Sequence, residues 1–269
     1  MLVQQSRPTS NLWSSMPYEV DDGIGHRAHI GMVVISNDQT LSYEARAMLA
    51  IPGVALYESR IPSTRGRNED VTFGGLTGLF DSIDGALKLI NEMRPSDVIA
   101  LGCTSAALVI GPNELERRVR IVHPQAKVTD PFTGILAALR SLGSARVGFV
   151  SPYPRDVAEK MVRGMETVGL KVPTLVRFDN DSGFVADEAP FISPVSISNA
   201  VRHAIRSADV DTVVVACTQM RAAAIIGDLE KQTGKAIISS NQALCWHALR
   251  LAGCRDVVDG WGRLFEREL

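Results

Sequence analysis

From His29 onward, short β-branched runs alternate along the chain with longer stretches in which apolar residues recur every three to four positions. The short runs predict strands over 30–35, 54–58, 97–101, 127–129, 146–150, 171–176, 212–215 and 236–238. The longer stretches predict helices over 41–49, 75–93, 113–122, 132–142, 155–168, 194–207, 220–232 and 242–251. Such alternation specifies an α/β fold with parallel strands covered by helices on both faces. Residues 1–28 break the pattern: they are polar, carry Pro8, Pro17 and Gly23, and hold no sustained apolar period. They read as a flexible extension, or as a strap across a partner subunit.

The two halves of the pattern resemble each other. Ile30-Gly31-Met32-Val33 matches Val147-Gly148-Phe149-Val150, and each run is followed by a serine, Ser36 and Ser151. Asp97-Val98-Ile99-Ala100-Leu101-Gly102-Cys103-Thr104 matches Asp211-Thr212-Val213-Val214-Val215-Ala216-Cys217-Thr218. Ala126-Lys127-Val128-Thr129 matches Ala236-Ile237-Ile238-Ser239, each leading into a helix that ends in Leu-Arg-x-x-Gly, at Gly143 and Gly253. Three matches in one order predict two pseudosymmetric lobes, 29–143 and 144–253, each a four-stranded parallel sheet flanked by helices, with 254–269 as a tail. Parallel sheets bind ligands beyond the carboxyl ends of their strands. Two facing lobes would therefore bring Cys103 and Cys217 to one cleft.

Composition narrows the class. With 45% hydrophobic and 22% charged residues among 269, the chain is globular rather than disordered. A net charge of −2 with scattered basic residues gives no attraction to nucleic acid. No apolar run is long enough to span a membrane and no secretory pattern opens the chain, which predicts a cytoplasmic protein. Its four cysteines, at 103, 217, 245 and 254, fit no zinc or CxxC spacing, so no metal is expected.

Chemistry then concentrates on two of those cysteines. Each of Cys103 and Cys217 ends a strand and is expected to precede a helix, where exposed N–H groups and the positive end of the helix dipole favour the thiolate. The same N–H groups suit a carboxylate or an enolate oxygen, so a small acid is the natural ligand. An isolated cysteine here is more simply a packing residue, but two at equivalent repeat positions, each followed by Thr, point to a site. Cys245 and Cys254 have no repeat partner and are assigned to packing.

The motifs Gly102-Cys103-Thr104-Ser105 and Ala216-Cys217-Thr218-Gln219, with Ser239-Ser240-Asn241-Gln242-Ala243 before the last helix, resemble the aspartate/glutamate racemase superfamily. Within it they are most similar to the branch of maleate cis-trans isomerases and ectoine utilisation protein A. The resemblance spans about residues 30–253 and implies a homo-oligomeric enzyme that needs neither metal nor organic cofactor. It implies that Cys103 adds to a substrate double bond, that Cys217 exchanges a proton, and that Tyr153 touches the substrate carboxylate. Thr104, Ser105, Thr218 and Gln219 would supply further donors, as helix caps or as substrate contacts. Maleate isomerases place an Asn in the first loop; Asp38 aligns there without a gap and Asn37 after a one-residue shift. An ionised Asp38 would repel a dicarboxylate and attract an ammonium group, moving the substrate towards an amino acid or its acylated derivative. The family's second carboxylate-holding Asn has no clear counterpart near 180–187.

The remaining conspicuous residues carry less. His26, His29, His123, His203 and His247 lack triad or metal spacing, and the 114–120 charge run reads as a solvated helix face. Gly74-Gly75-Leu76-Thr77-Gly78 lacks the context of a dinucleotide site and reads as a flexible, lid-like loop. The sequence thus predicts a two-cysteine isomerase or racemase, with a decarboxylase or a non-catalytic small-acid binder as alternatives.

Overall fold

A computed structural model describes residues 13–91, 93–179 and 185–269. The first sheet holds β1 (Ala28–Ile35), β2 (Val54–Ile61), β3 (Val98–Gly102) and β4 (Lys127–Thr129). Its helices are α1 (Leu41–Met48), α2 (Phe73–Gly78), α3 (Ile83–Lys88), α4 (Thr104–Ile110), α5 (Pro112–Val122) and α6 (Pro131–Ser141). The second sheet holds β5 (Arg146–Ser151), β6 (Lys171–Arg177), β7 (Thr212–Val215) and β8 (Ala236–Ser239). With it come α7 (Arg155–Glu166), α8 (Val185–Glu188), α9 (Pro194–Ser207), α10 (Ile226–Thr233) and α11 (Ser240–Leu251).

All strand pairs are parallel, and the sheet orders β2-β1-β3-β4 and β6-β5-β7-β8 are the same arrangement twice, as the internal repeat predicts. Every residue of β1 is buried because helices cover both faces, whereas the edge strand β6 alternates exposed and half-buried positions. In β3, Gly102 is paired with Val34 of β1, and a Cβ on Gly102 would sit 2.3 Å from Leu41 Cδ2. The glycine before Cys103 is therefore what lets α1 lie close over the strand end.

The lobes meet through their equivalent last helices, α6 and α11. A Cβ at Gly134 of α6 would lie 2.8 Å from the carbonyl oxygen of Ala243, so only glycine permits this backbone approach. Helix α11 is buried from Ser240 to Arg250, polar residues included. Those polar groups find partners: Thr129 Oγ1 and His247 Nδ1 are 2.6 Å apart, and Arg250 donates to the carbonyls of Cys254, Asp256, Phe265 and Arg267. The tail is thereby fixed to the second lobe, with Leu264 and Phe265 fully buried. Burial lowers the His247 pKa to about 4, which makes it a neutral packing residue.

Two helices depart from the sequence pattern. The predicted helix over 75–93 is broken into α2, a 3₁₀ turn at Leu79–Ser82 and α3, which ends at Lys88; Gly75, Gly78 and Gly85 within it each cost about 1 kcal/mol against alanine and weaken a continuous helix. The predicted 220–232 helix begins only at Ile226, after a 3₁₀ turn at Ala223–Ile225, because tertiary hydrogen bonds hold the preceding residues. Of the N-terminal extension, residues 1–12 lie outside the described residues. Trp13, Met16, Tyr18, Val20 and Ile24 are exposed, and Arg27 forms an ion pair with Asp256 of the tail. Among the described residues no helix is long and apolar enough to cross a membrane.

Candidate active site

Cys103 follows the carboxyl end of β3 and caps α4, with extended backbone at φ −152°. Its sulfur lies 3.7 Å from Ser105 Oγ and faces the backbone N–H groups of Ser105 and Ala106. Burial still raises the thiol pKa against these donors, and the negative charge of Asp38 adds to the rise.

Cys217 follows β7 but precedes no helix, so the expected helix N-terminus is absent there. The residue instead has φ +118°, a conformation that L side chains rarely adopt. The residue is 8% exposed, and burial pushes its thiol pKa up to about 12, against donation from the Gln219 N–H and the Tyr153 hydroxyl. The expectation of two ready thiolates is therefore corrected: desolvation outweighs the local donors at both positions. The two sites differ in degree, since Cys103 has a hydroxyl and two helix-end amides around it while Cys217 sits in the drier setting.

Both cysteines line one cavity of about 360 Å³ between the lobes. Asn37, Asp38, Ser105, Tyr153, Thr218 and Gln219 line it with them. Asn37 makes no hydrogen bond to another described residue, leaving its amide available to a ligand. Asp38 is fully engaged: Oδ1 accepts the N–H groups of Thr40 and Leu41, and Oδ2 accepts the Thr218 hydroxyl at 2.7 Å. It caps α1 and ties the lobes together. Thr104 does not line the cavity; it is fully buried, donates to Ser240 Oγ at 2.9 Å, and touches the Tyr153 hydroxyl. Burial raises Tyr153 well above its ordinary pKa, so its hydroxyl stays protonated and is a donor.

The sequence reading missed the opposite wall. Ser63, Thr64, Arg65, Glu69, Asp70, Val71 and Thr72 come from the loop after β2, and Ala186 and Ala189 from the second lobe. Arg65 Nη1 donates to Asp187 Oδ1 at 2.5 Å, and Asn68 N–H to Asp187 Oδ2 at 2.8 Å, closing the cleft on that side. The glycine-rich segment is no open loop: it forms α2, capped by Thr72, and Gly75, Leu76 and Leu79 complete an apolar patch with Ile35 and Val71. Only the basic pair Arg65 and Arg67 in a polar 62–72 stretch could have hinted at this wall. Of the 180–187 stretch, in which the sequence offers no clear counterpart of the family's second carboxylate-holding Asn, residues 180–184 lie outside the described residues. Among the described residues no cluster of His, Cys, Asp or Glu has the arrangement of a metal site.

A twinned α/β scaffold with a cysteine from each lobe in one cavity defines a cysteine-dependent isomerase-type enzyme. The family model for arylmalonate decarboxylase matches residues 68–265, and the chain belongs to that family. It is 29% identical over 250 residues to a maleate isomerase of Nocardia farcinica, covering 89% of this chain and 96% of the relative. The solved maleate isomerase Iso of Pseudomonas putida S16 matches with a TM-score of 0.76 at 24% identity, over 88% of this chain and 98% of that one. A cysteine-to-serine variant of the Nocardia farcinica maleate cis-trans isomerase, bearing a covalently bound succinylcysteine intermediate, matches with a TM-score of 0.72 at 26% identity. That match covers 88% of this chain and 98% of the other.

Proposed function

We propose that this chain is a two-cysteine isomerase or racemase in which Cys103 and Cys217 act from opposite sides on a small carboxylic acid or amino-acid derivative. The observation that carries this reading is the unequal surroundings of two cysteines sharing one cavity. Cys103 has the Ser105 hydroxyl and the first amides of α4 to receive negative charge on its sulfur, which assigns it the attack on substrate although burial raises its pKa; Cys217, held as a thiol, suits proton delivery. On an unsaturated acid, the Cys103 sulfur bonds to one alkene carbon and the electron pair moves towards the carboxylate. Cys217 then protonates the neighbouring carbon. Rotation about the new single bond, return of the proton to Cys217 and loss of the sulfur give the other isomer. On an α-chiral acid, one cysteine removes the α-proton and the other returns one from the far face.

Asn37 is the group best placed to hold a carboxylate, with Ser105, Thr218, Gln219 and the Tyr153 hydroxyl around it. Because Asp38 spends both oxygens on internal bonds, its role is to position Thr218 and α1. A carboxylate at this place beside the cysteines disfavours a second carboxylate there, which favours an amino-acid derivative over maleate, in keeping with the ectoine utilisation branch. Four unpaired cysteines fit a reducing compartment and support a cytoplasmic location, and the likeness to the superfamily supports a homo-oligomer.

Decarboxylation is the second reading, favoured by the family match and by the apolar patch of Ile35, Val71, Leu76 and Leu79. It leaves one of the two thiols without a task. Cys103→Ser should lower turnover about 10²–10⁴-fold with the fold intact; a variant of undiminished activity would overturn the proposal.

A further inference from the structure

The first turn of α11 contributes no atom to the cavity surface, yet it is bonded to the backbone on both sides of Cys217. Ser240 Oγ accepts the Cys217 N–H at 3.0 Å and, from the first lobe, the Thr104 hydroxyl at 2.9 Å. Asn241 Nδ2 donates to the Thr218 carbonyl at 2.8 Å and to Glu44 Oε2 of the first lobe at 2.7 Å. Glu44 Oε1 in turn accepts the N–H of Ala223, at the far end of the same loop. Ser240, Asn241 and Thr104 are each 1% exposed or less, so these bonds are not exchanged with water.

A non-glycine residue at φ +118° persists only where its surroundings over-determine it. Resting on the reading of Cys103 and Cys217 as the reacting pair, we propose that Ser240 is a positioning residue: its hydroxyl holds Cys217 in its strained conformation and locks that conformation to the Cys103 loop through Thr104. Asn241 and Glu44 brace the other side of the same loop. Two groups that must act on one substrate from opposite sides require a fixed mutual placement, and a single serine oxygen shared between their loops supplies it. Without the hydroxyl, the loop that carries Cys217 loses one of the bonds that fix its conformation, and the thiol opens to solvent more often.

The test reads each thiol separately and needs no substrate. The full-length protein and its Ser240→Ala and Thr104→Val variants are treated with iodoacetamide at pH 8, and labelling of the Cys103 and Cys217 peptides is followed by mass spectrometry, with thermal melting as the check of folding. In Ser240→Ala, Cys217 labels faster by roughly tenfold, the scale on which releasing such strain shifts a local equilibrium, while Cys103 stays within about twofold. Thr104→Val leaves the Cys217–Ser240 bond in place but removes the bond that anchors Ser240 to the first lobe; it moves Cys217 in the same direction and decides the matter if Ser240→Ala does not fold. A Cys217 rate unchanged in a folded variant, or equal acceleration of both cysteines, overturns the proposal. Should the labelling behave as stated while no small acid is turned over, the functional reading fails and the positioning role of Ser240 stands.

Discussion

The Thr218 hydroxyl of the second lobe donates to Asp38 Oδ2 of the first over 2.7 Å, in a contact closed to solvent. It joins the loop after β1 to the loop after β7, and it places a carboxylate beside both cavity thiols. Asp38→Asn keeps the helix-capping oxygen and removes the charge. The expected result is faster alkylation of both Cys103 and Cys217 at neutral pH and tighter binding of a dicarboxylate such as maleate, measured by calorimetry. Asp38→Ala orphans three buried donors and should cost about 2–4 kcal/mol in urea unfolding.

Tyr153 acts on Cys217 alone of the two cysteines by hydrogen bonding. Tyr153→Phe removes a donor to the Cys217 sulfur and should raise that thiol's pKa further. Turnover should fall about 10–100-fold, and Cys217 alkylation should slow while Cys103 alkylation does not.

Glu44 is a buried carboxyl whose pKa is raised to about 7, chiefly by burial. The folded protein therefore binds a proton there that the unfolded chain releases near its ordinary value of 4.5. Stability contributed by this group is complete below about pH 4.5 and is lost as pH rises through 7, an effect on the order of 3 kcal/mol. Denaturant midpoints measured from pH 5 to 8 should decline in the wild type, and Glu44→Gln should lose this part of the pH dependence.

Arg65 and Asp187 close the cavity wall opposite the cysteines. Asp187→Asn weakens this clasp and frees the Asn68 end of the loop. Hydrogen exchange over 62–72 should quicken, and KM should rise severalfold with a smaller change in kcat.

The fold was legible because parallel strands buried on both faces are continuous β-branched runs, and because the repeat wrote the sheet order twice. The strands at 127–129 and 212–215 lie where the apolar runs place them. Cys103 and Cys217 were legible for the same reason, as equal positions in that repeat. The chemical state of the thiols was not, since burial of a strand end depends on what packs over it from the other lobe. Cys217 lacks its helix because Glu44, Asn241 and Ser240, distant in sequence, claim the backbone that a helix would use. The wall from 62–72 has no periodicity and no motif, so its contribution to the cavity existed only in three dimensions.

The most direct test of the paired-cysteine account is proton NMR in deuterated water, following maleate, aspartate, glutamate and N-acetylated diaminobutyrate with the wild type, Cys103→Ser and Cys217→Ser. The account predicts that the wild type either converts maleate to fumarate or exchanges the α-proton of one of the amino acids for deuterium, and that each single variant loses interconversion. Undiminished interconversion in either variant would contradict it.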